Sequence, residues 1–513
     1  MEPESDSLES RAKNFMQAYD IDDIKRRKEE SEVELRKSKR AELVTKRRNL
    51  EQSGKQWVKV NEIFKQAYSI SDLPDLLTAM RSGVEDKFLF AAQGFRKVLS
   101  LEHNPPIQEV IDAGVLPYLI DWIQKFDFPQ LQYESAWTIT NIASGTHQNC
   151  QVIVDKGCVP LLIQLMNSNS EEVREQAVWA LGNIGGDAAH CRDVILQNQG
   201  LPLLVKCLQS SEKHSMIKNS SWAISNLCRG KPGPLYEMVK DAMPVLAEVV
   251  KSHHDTEILS DSLWALSHLS EGSEEKIDYL ISTAVVPRVI QLLNHHLYNI
   301  QLPAIRVIGN IVTGSESQTQ LVINLGGVEA LGTLVGSAKK STQKEAVWSI
   351  SNICAGSKDQ LDRLISAEVI PRLVACAYSS DKEIKKETVW ALSNAAAGGR
   401  PDQVVSFAEA GIIQALCSLF NETDVKIISV ALEGLNRILK CGKENYMEGK
   451  ETSDFAVIVE QCGGLSKLEH LQQHANVQIY EKARNMIETY FQIEPDENEN
   501  LISMIKECAA FNL

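Results

Sequence analysis

An all-α solenoid of stacked helical repeats is predicted for this 513-residue chain by three observations. A tryptophan followed four residues later by an asparagine recurs as Trp137/Asn141, Trp179/Asn183, Trp222/Asn226, Trp348/Asn352 and Trp390/Asn394. Two further positions keep the grid with one partner changed, Trp264/His268 and Arg306/Asn310, so the interval is 42 or 43 residues throughout. A fixed period of this size marks a helical repeat array, because one unit cannot bury its own apolar face and must stack on neighbours. Third, a small residue and a proline-led apolar segment recur between ladder helices.

Each element follows from local chemistry. Placed at about 100° per residue, Ala177, Ala180, Leu181 and Ile184 form one apolar stripe, and Trp179 and Asn183 lie one turn apart on the other side. The same holds for Ser220, Ala223, Ile224 and Leu227 behind Trp222/Asn226, and for Thr388, Ala391, Leu392 and Ala395 behind Trp390/Asn394. With the core stripe complete without the tryptophan, the pairs are expected to form an exposed ladder. Ahead of these helices stand Gly114-Val-Leu-Pro117, Gly157-Cys-Val-Pro160, Gly200-Leu-Pro202, Ala284-Val-Val-Pro287 and Glu368-Val-Ile-Pro371. Glycine ends one helix and proline is tolerated in the first turn of the next. A short helix and two longer ones per unit match an armadillo-type repeat, which winds into a right-handed superhelix.

The expected organisation is a basic arm at 1–60, a linker at 61–70, about ten repeats at 71–493, and an acidic tail at 494–513. Residues 1–60 hold 15 Lys/Arg against 13 Asp/Glu, and the remainder carries about −17, so a flexible basic arm is joined to an acidic body. Two basic clusters stand out in the arm, Lys25-Arg26-Arg27-Lys28 and Lys46-Arg47-Arg48. The acidic body and the acids interleaved in the arm argue against direct nucleic-acid binding. Eleven cysteines without a CxxC pair, several at small apolar helix positions (Cys158, Cys207, Cys228, Cys376), point to a reducing compartment with neither disulfides nor a metal site. No apolar run reaches membrane-spanning length, so a soluble cytosolic or nuclear protein is expected.

Parallel indoles one repeat apart make slots for the aliphatic stems of lysine and arginine, with cation–π attraction of about 0.5–2 kcal/mol per site. An asparagine amide can bond a peptide N–H and C=O together, which holds a backbone extended whatever its side chains. Helices about 10 Å apart match roughly three residues of a strand rising about 3.3 Å per residue. Asp187, one turn after Asn183, and Glu345 and Glu387, three before Trp348 and Trp390, add negative charge beside the ladder. The implied ligand is an extended Lys/Arg-rich peptide. No phosphate-loop or nucleophile-elbow motif occurs, and His470 and His474 lack the glutamate of a metalloprotease helix, so neither an enzyme nor a cofactor is expected.

Ser135-Ala-Trp-Thr-Ile-Thr-Asn-Ile-Ala-Ser-Gly145 and Ala177-Val-Trp-Ala-Leu-Gly-Asn-Ile-Gly-Gly-Asp187 resemble the second and third repeats of importin α (karyopherin α). Val33-Glu-Leu-Arg-Lys37 and Lys46-Arg-Arg-Asn49 resemble its importin-β-binding arm. The resemblance implies an adaptor that binds nuclear localisation signals (NLS) on cargo and shuttles between cytoplasm and nucleus. Its major site would comprise Trp137, Asn141, Ser144, Gly145, Trp179, Asn183, Asp187, Trp222 and Asn226. Its minor site would comprise Arg306, Asn310, Glu345, Trp348, Asn352, Glu387, Trp390 and Asn394, with Arg306 interrupting the ladder. Lys25, Arg26, Arg27, Lys28, Arg36, Lys37, Lys46, Arg47 and Arg48 would bind importin β and inhibit the groove in its absence. A CAS-type export receptor with Ran-GTP would return the adaptor. Two departures stand out: Cys150 replaces the family's usual threonine beside the key lysine site, and Met16-Gln-Ala-Tyr19 replaces a lysine-rich stretch of the arm.

Overall fold

The computed structural model describes residues 68–101, 104–446 and 453–491. The arm at 1–60, with every basic residue assigned to it, residues 61–67 of the expected linker and the tail at 494–513 lie outside these. The described elements are helices, and none is both long and apolar enough to cross a membrane alone. They form two compact units, one ending at Arg288 and one beginning at Val289.

In the first unit the long helices are α1 (Glu85–Leu99), α2 (Pro129–Ala143), α3 (Glu171–Asp187), α4 (His214–Cys228) and α5 (Thr256–Leu269). In the second they are α6 (Tyr298–Ile311), α7 (Lys340–Cys354), α8 (Lys382–Gly398), α9 (Val425–Asn445) and α10 (Val477–Tyr490). Within each unit every long helix packs on the next. The predicted stripes face this core: Ala177, Ala180 and Ile184, like Ala223, Ile224, Ala391 and Leu392, are fully buried.

A repeat is set out clearly at 146–187. Thr146 caps the short helix His147–Asp155, its hydroxyl accepting from Asn149 N at 3.3 Å and Asn149 Oδ1 returning to Thr146 N at 2.9 Å. Gly157 then turns the chain in the left-handed region, φ +73°, Cys158–Leu165 follows, and Ser170 caps α3. The recurrent left-handed residue lies three positions before the proline: Gly114, Gly157, Gln199, Ala284 and Glu368. At 200–202 the segment is one residue shorter, so the turn falls on Gln199 and not on Gly200 as the pattern suggested. Gly200 has another reason to lack a side chain: a Cβ there would stand 2.6 Å from Ile195 Cγ2.

Candidate functional site

The ladder residues do not project freely, contrary to the sequence expectation. Trp137, Trp179 and Trp222 are only 7%, 7% and 4% exposed, and Asn141 and Asn183 are buried. The physical reason is the long helix one repeat back. Asn183 Nδ2 donates to the Thr140 carbonyl at 3.1 Å and Asn226 Nδ2 to the Gly182 carbonyl at 2.9 Å. Asn141 Nδ2 reaches Ser100 Oγ at 3.2 Å and the Arg96 carbonyl at 3.4 Å. In the second unit Asn394 Nδ2 donates to the Ser351 carbonyl at 3.2 Å. One amide hydrogen of each of these asparagines is therefore spent on stacking the repeats.

The tryptophans seat in the same way. A Cβ on Gly182 would lie 2.5 Å from Trp222 Cζ3, and one on Gly309 would lie 2.2 Å from Trp348 Cζ3. The residue before each ladder asparagine or its equivalent is accordingly small: Thr140, Gly182, Ser225, Ser267, Gly309, Ser351 and Ser393. Sequence reasoning missed this set, although its signal, a small residue at a fixed place in every repeat, was present.

Both donors and acceptors remain on the ladder. Asn141 Oδ1 and both amide heteroatoms of Asn352 are buried with no hydrogen-bond partner among the described residues, as is Trp179 Nε1. Buried polar atoms normally find partners, so these positions suit a polar ligand. Asn226 is more fully committed, because Arg229 Nε donates to its Oδ1 at 2.9 Å. Trp264, Trp348 and Trp390 are half-buried, and Trp264 stacks on His268 with ring centroids 6.2 Å apart.

Each unit also has an arginine over the first ladder tryptophan. Arg96 lies 4.4 Å from the Trp137 ring and pairs with Glu134, and Arg306 lies 5.5 Å from the Trp348 ring and pairs with Glu345 at 3.3 Å. Arg96 and Glu134 were not foreseen, because the tryptophan grid begins at Trp137. Asn310, Glu345 and Glu387 are buried in the second unit.

Ser144 donates to the Asn141 carbonyl at 2.7 Å, closing α2 beside Gly145. Asp187 ends α3, and its Oδ2 lies 2.7 Å from Nδ1 of the exposed His147. That hydrogen bond, with the carboxylate's charge, raises the His147 pKa above its ordinary 6.5. The structure also gathers residues that the sequence reading kept apart: the ligand atoms of Cys150, Asp187 and Cys191 lie within 4.8 Å of one another.

Comparison with known proteins bears on this arrangement. The model of the importin beta binding domain matches residues 11–93. Armadillo/beta-catenin-like repeats match at 103–144, 146–185, 189–229, 315–355 and 357–397, and an atypical Arm repeat matches at 453–504. The chain is 43% identical over 502 residues to importin subunit alpha-2 of Arabidopsis thaliana, covering 95% of this chain and 93% of that one. The chain belongs to the importin α family. It is also 40% identical over 502 residues to importin subunit alpha-4 of the same plant, covering 96% and 93% of the two chains. The crystal structure of an engineered protein superposes with a TM-score of 0.73 at 26% identity, over 81% of this chain and 98% of its own. As an importin α, this protein is a nuclear import adaptor that binds nuclear localisation signals and links cargo to importin β.

Proposed function

We propose that the ladder in the first unit is the major cargo site of this importin α, and that it holds an extended Lys/Arg-rich peptide. Trp137, Trp179 and Trp222 wall the slots, Asn141, Asn183 and Asn226 hold the peptide backbone, and Asp187 with Ser144 and Gly145 receives the principal lysine. The observation that carries this reading is a ladder with an unpartnered acceptor, Asn141 Oδ1, and a carboxylate at its edge, Asp187, only 11% exposed. An ammonium entering there meets a charge in a partly desolvated place. In the second unit Arg306, Asn310, Glu345, Trp348, Asn352, Glu387, Trp390 and Asn394 form a minor site.

The arm at 1–60 completes the device. Lys46-Arg47-Arg48 has the ligand's chemistry, and a tether of roughly 20 residues holds it near millimolar effective concentration. It inhibits the groove until importin β takes the arm. The remaining parts of the reading are the linker at 61–70, repeats at 71–493, a tail at 494–513, return by a CAS-type receptor with Ran-GTP, shuttling between cytoplasm and nucleus, and action by binding alone.

The test is the affinity of a fluorescent Lys/Arg-rich peptide for the full chain and for a chain lacking residues 1–60. Asp187→Lys should cost a few kcal/mol, about a hundredfold or more in affinity, and the truncated chain should bind more tightly than the full one. Equal binding by wild type and Asp187→Lys at low salt would remove Asp187 from the site.

A further inference from the structure

We propose that Cys150, Asp187 and Cys191 form a site for a thiophilic divalent cation of the Zn(II) class, and that its occupation closes the lysine pocket of the major cargo site. The second clause rests on the reading of Asp187 given above. The first stands on geometry alone.

The site is made by stacking, which is why no ligand motif appears along the chain. Cys150 lies on the short helix His147–Asp155, and Cys191 lies on Ala189–Gln197, the corresponding helix of the next repeat. These two helices pack together, and α3 delivers Asp187 to their junction. All three ligand atoms fall within 4.8 Å of one another. Two thiolates on one tetrahedral zinc ion, each bonded at about 2.3 Å, stand about 3.8 Å apart, so small side-chain adjustments suffice. Among the described residues this is the one group of His, Cys, Asp and Glu so disposed.

The surroundings fit a metal centre. Cys150 and Cys191 are fully buried, whereas the Asp187 carboxylate keeps an exposed edge, which gives the ion a dry floor and an entry side. Two imidazoles flank the cluster: His147 Nδ1 lies 2.7 Å from Asp187 Oδ2, and His190 Nε2 lies 3.2 Å from Cys191 Sγ. Either can supply a fourth ligand, or orient the ligand it touches, as second partners do in zinc sites. Two thiolates and a carboxylate select zinc-like ions over magnesium or calcium. A bound ion would also occupy Asp187, leaving a peptide lysine to meet a cation where it needs an anion.

Untagged full-length protein, kept reduced with a phosphine, should be titrated with Co(II). A thiolate-to-cobalt charge-transfer band should grow to saturation at a single equivalent, disappear on adding Zn(II), and be absent from Cys191→Ser. Asp187→Asn, which keeps both thiols, should bind Co(II) more weakly without losing helical circular dichroism. Saturating Zn(II) should weaken a fluorescent Lys/Arg-rich peptide by about tenfold or more, reversibly with a chelator, and should leave its affinity for Cys191→Ser unchanged. No charge-transfer band in wild type, or an equal band in both Cys150→Ser and Cys191→Ser, overturns the site. A band that depends on both cysteines, with peptide affinity indifferent to Zn(II), keeps the metal site and overturns the placement of Asp187 in the groove.

Discussion

Gly182→Ala should loosen the junction between α3 and α4, and the size of the effect can be worked from the structure. The new Cβ would stand 2.5 Å from Trp222 Cζ3 and 2.8 Å from Cε3. Non-bonded carbons settle at about 3.5–4.0 Å, so the indole, 4% exposed, must withdraw by about 1 Å. Withdrawal also stretches the bond from Asn226 Nδ2 to the Gly182 carbonyl, now 2.9 Å. Overpacking of this kind costs about 1–3 kcal/mol, while alanine is the better helix former by about 0.8–1.0 kcal/mol. The net loss should be about 0–2 kcal/mol. In a Trp222→Leu background the clash is gone and only the helix preference remains, so the same substitution should stabilise by about 0.5–1 kcal/mol. A long repeat array does not unfold as one unit, so hydrogen exchange of α3 and α4 amides is the appropriate readout. Stabilisation by Gly182→Ala in both backgrounds would refute the seating of Trp222 on that backbone.

Three further outcomes are expected. The raised His147 pKa means that its stabilising bond to Asp187 is fully present below the ordinary value of 6.5 and is lost as pH rises through the raised value; basic-peptide affinity should climb over that window as Asp187 is released, and His147→Gln should flatten the profile. Gln199, at φ +58°, should gain about 1 kcal/mol on replacement by glycine, whereas Gly200→Ala should destabilise because its Cβ would meet Ile195 at 2.6 Å; chemical unfolding distinguishes the two. Arg306→Ala should cost about 1–3 kcal/mol in the second unit, because Glu345, 7% exposed, loses its partner, and Arg306→Lys should recover only part of this since lysine lacks the planar group that lies over Trp348.

The repeat was legible because its period is carried by tryptophan, asparagine and proline, residues that are uncommon and conspicuous. The core stripe behind each pair followed from helical geometry, and so did the placing of Asp187 one turn after Asn183. What the period could not give was the neighbour. A helix drawn alone leaves Trp179 and Asn183 on an open face, and only the preceding helix, one repeat away, covers them. The left-handed position was likewise misread at Gly200, since glycine serves equally for a positive φ and for close approach. The meeting of Cys150 with Cys191 was invisible for the same reason: residues about one repeat apart become neighbours only when repeats stack.

In the proposed cargo site, stacking and recognition therefore draw on the same residues. At Asn141, Asn183, Asn226 and Asn394 the asparagine beside the indole is already tied to a carbonyl of the previous repeat, so a slot there belongs to a pair of helices and not to one. At Trp137 and Trp348 the preceding repeat offers an arginine in place of another tryptophan, and each arginine is anchored by a glutamate three residues before the ring it covers. The protein's own guanidinium thus takes the cation–π position that a ligand's basic side chain would otherwise seek. A peptide arginine that displaced it would have to replace both the ring contact and the pairing with Glu134 or Glu345, each 7% exposed, and so would gain little over the arginine already there. On the proposed reading, a peptide's basic side chains are therefore expected from the second slot onward, with the two arginines marking where each row of tryptophans begins.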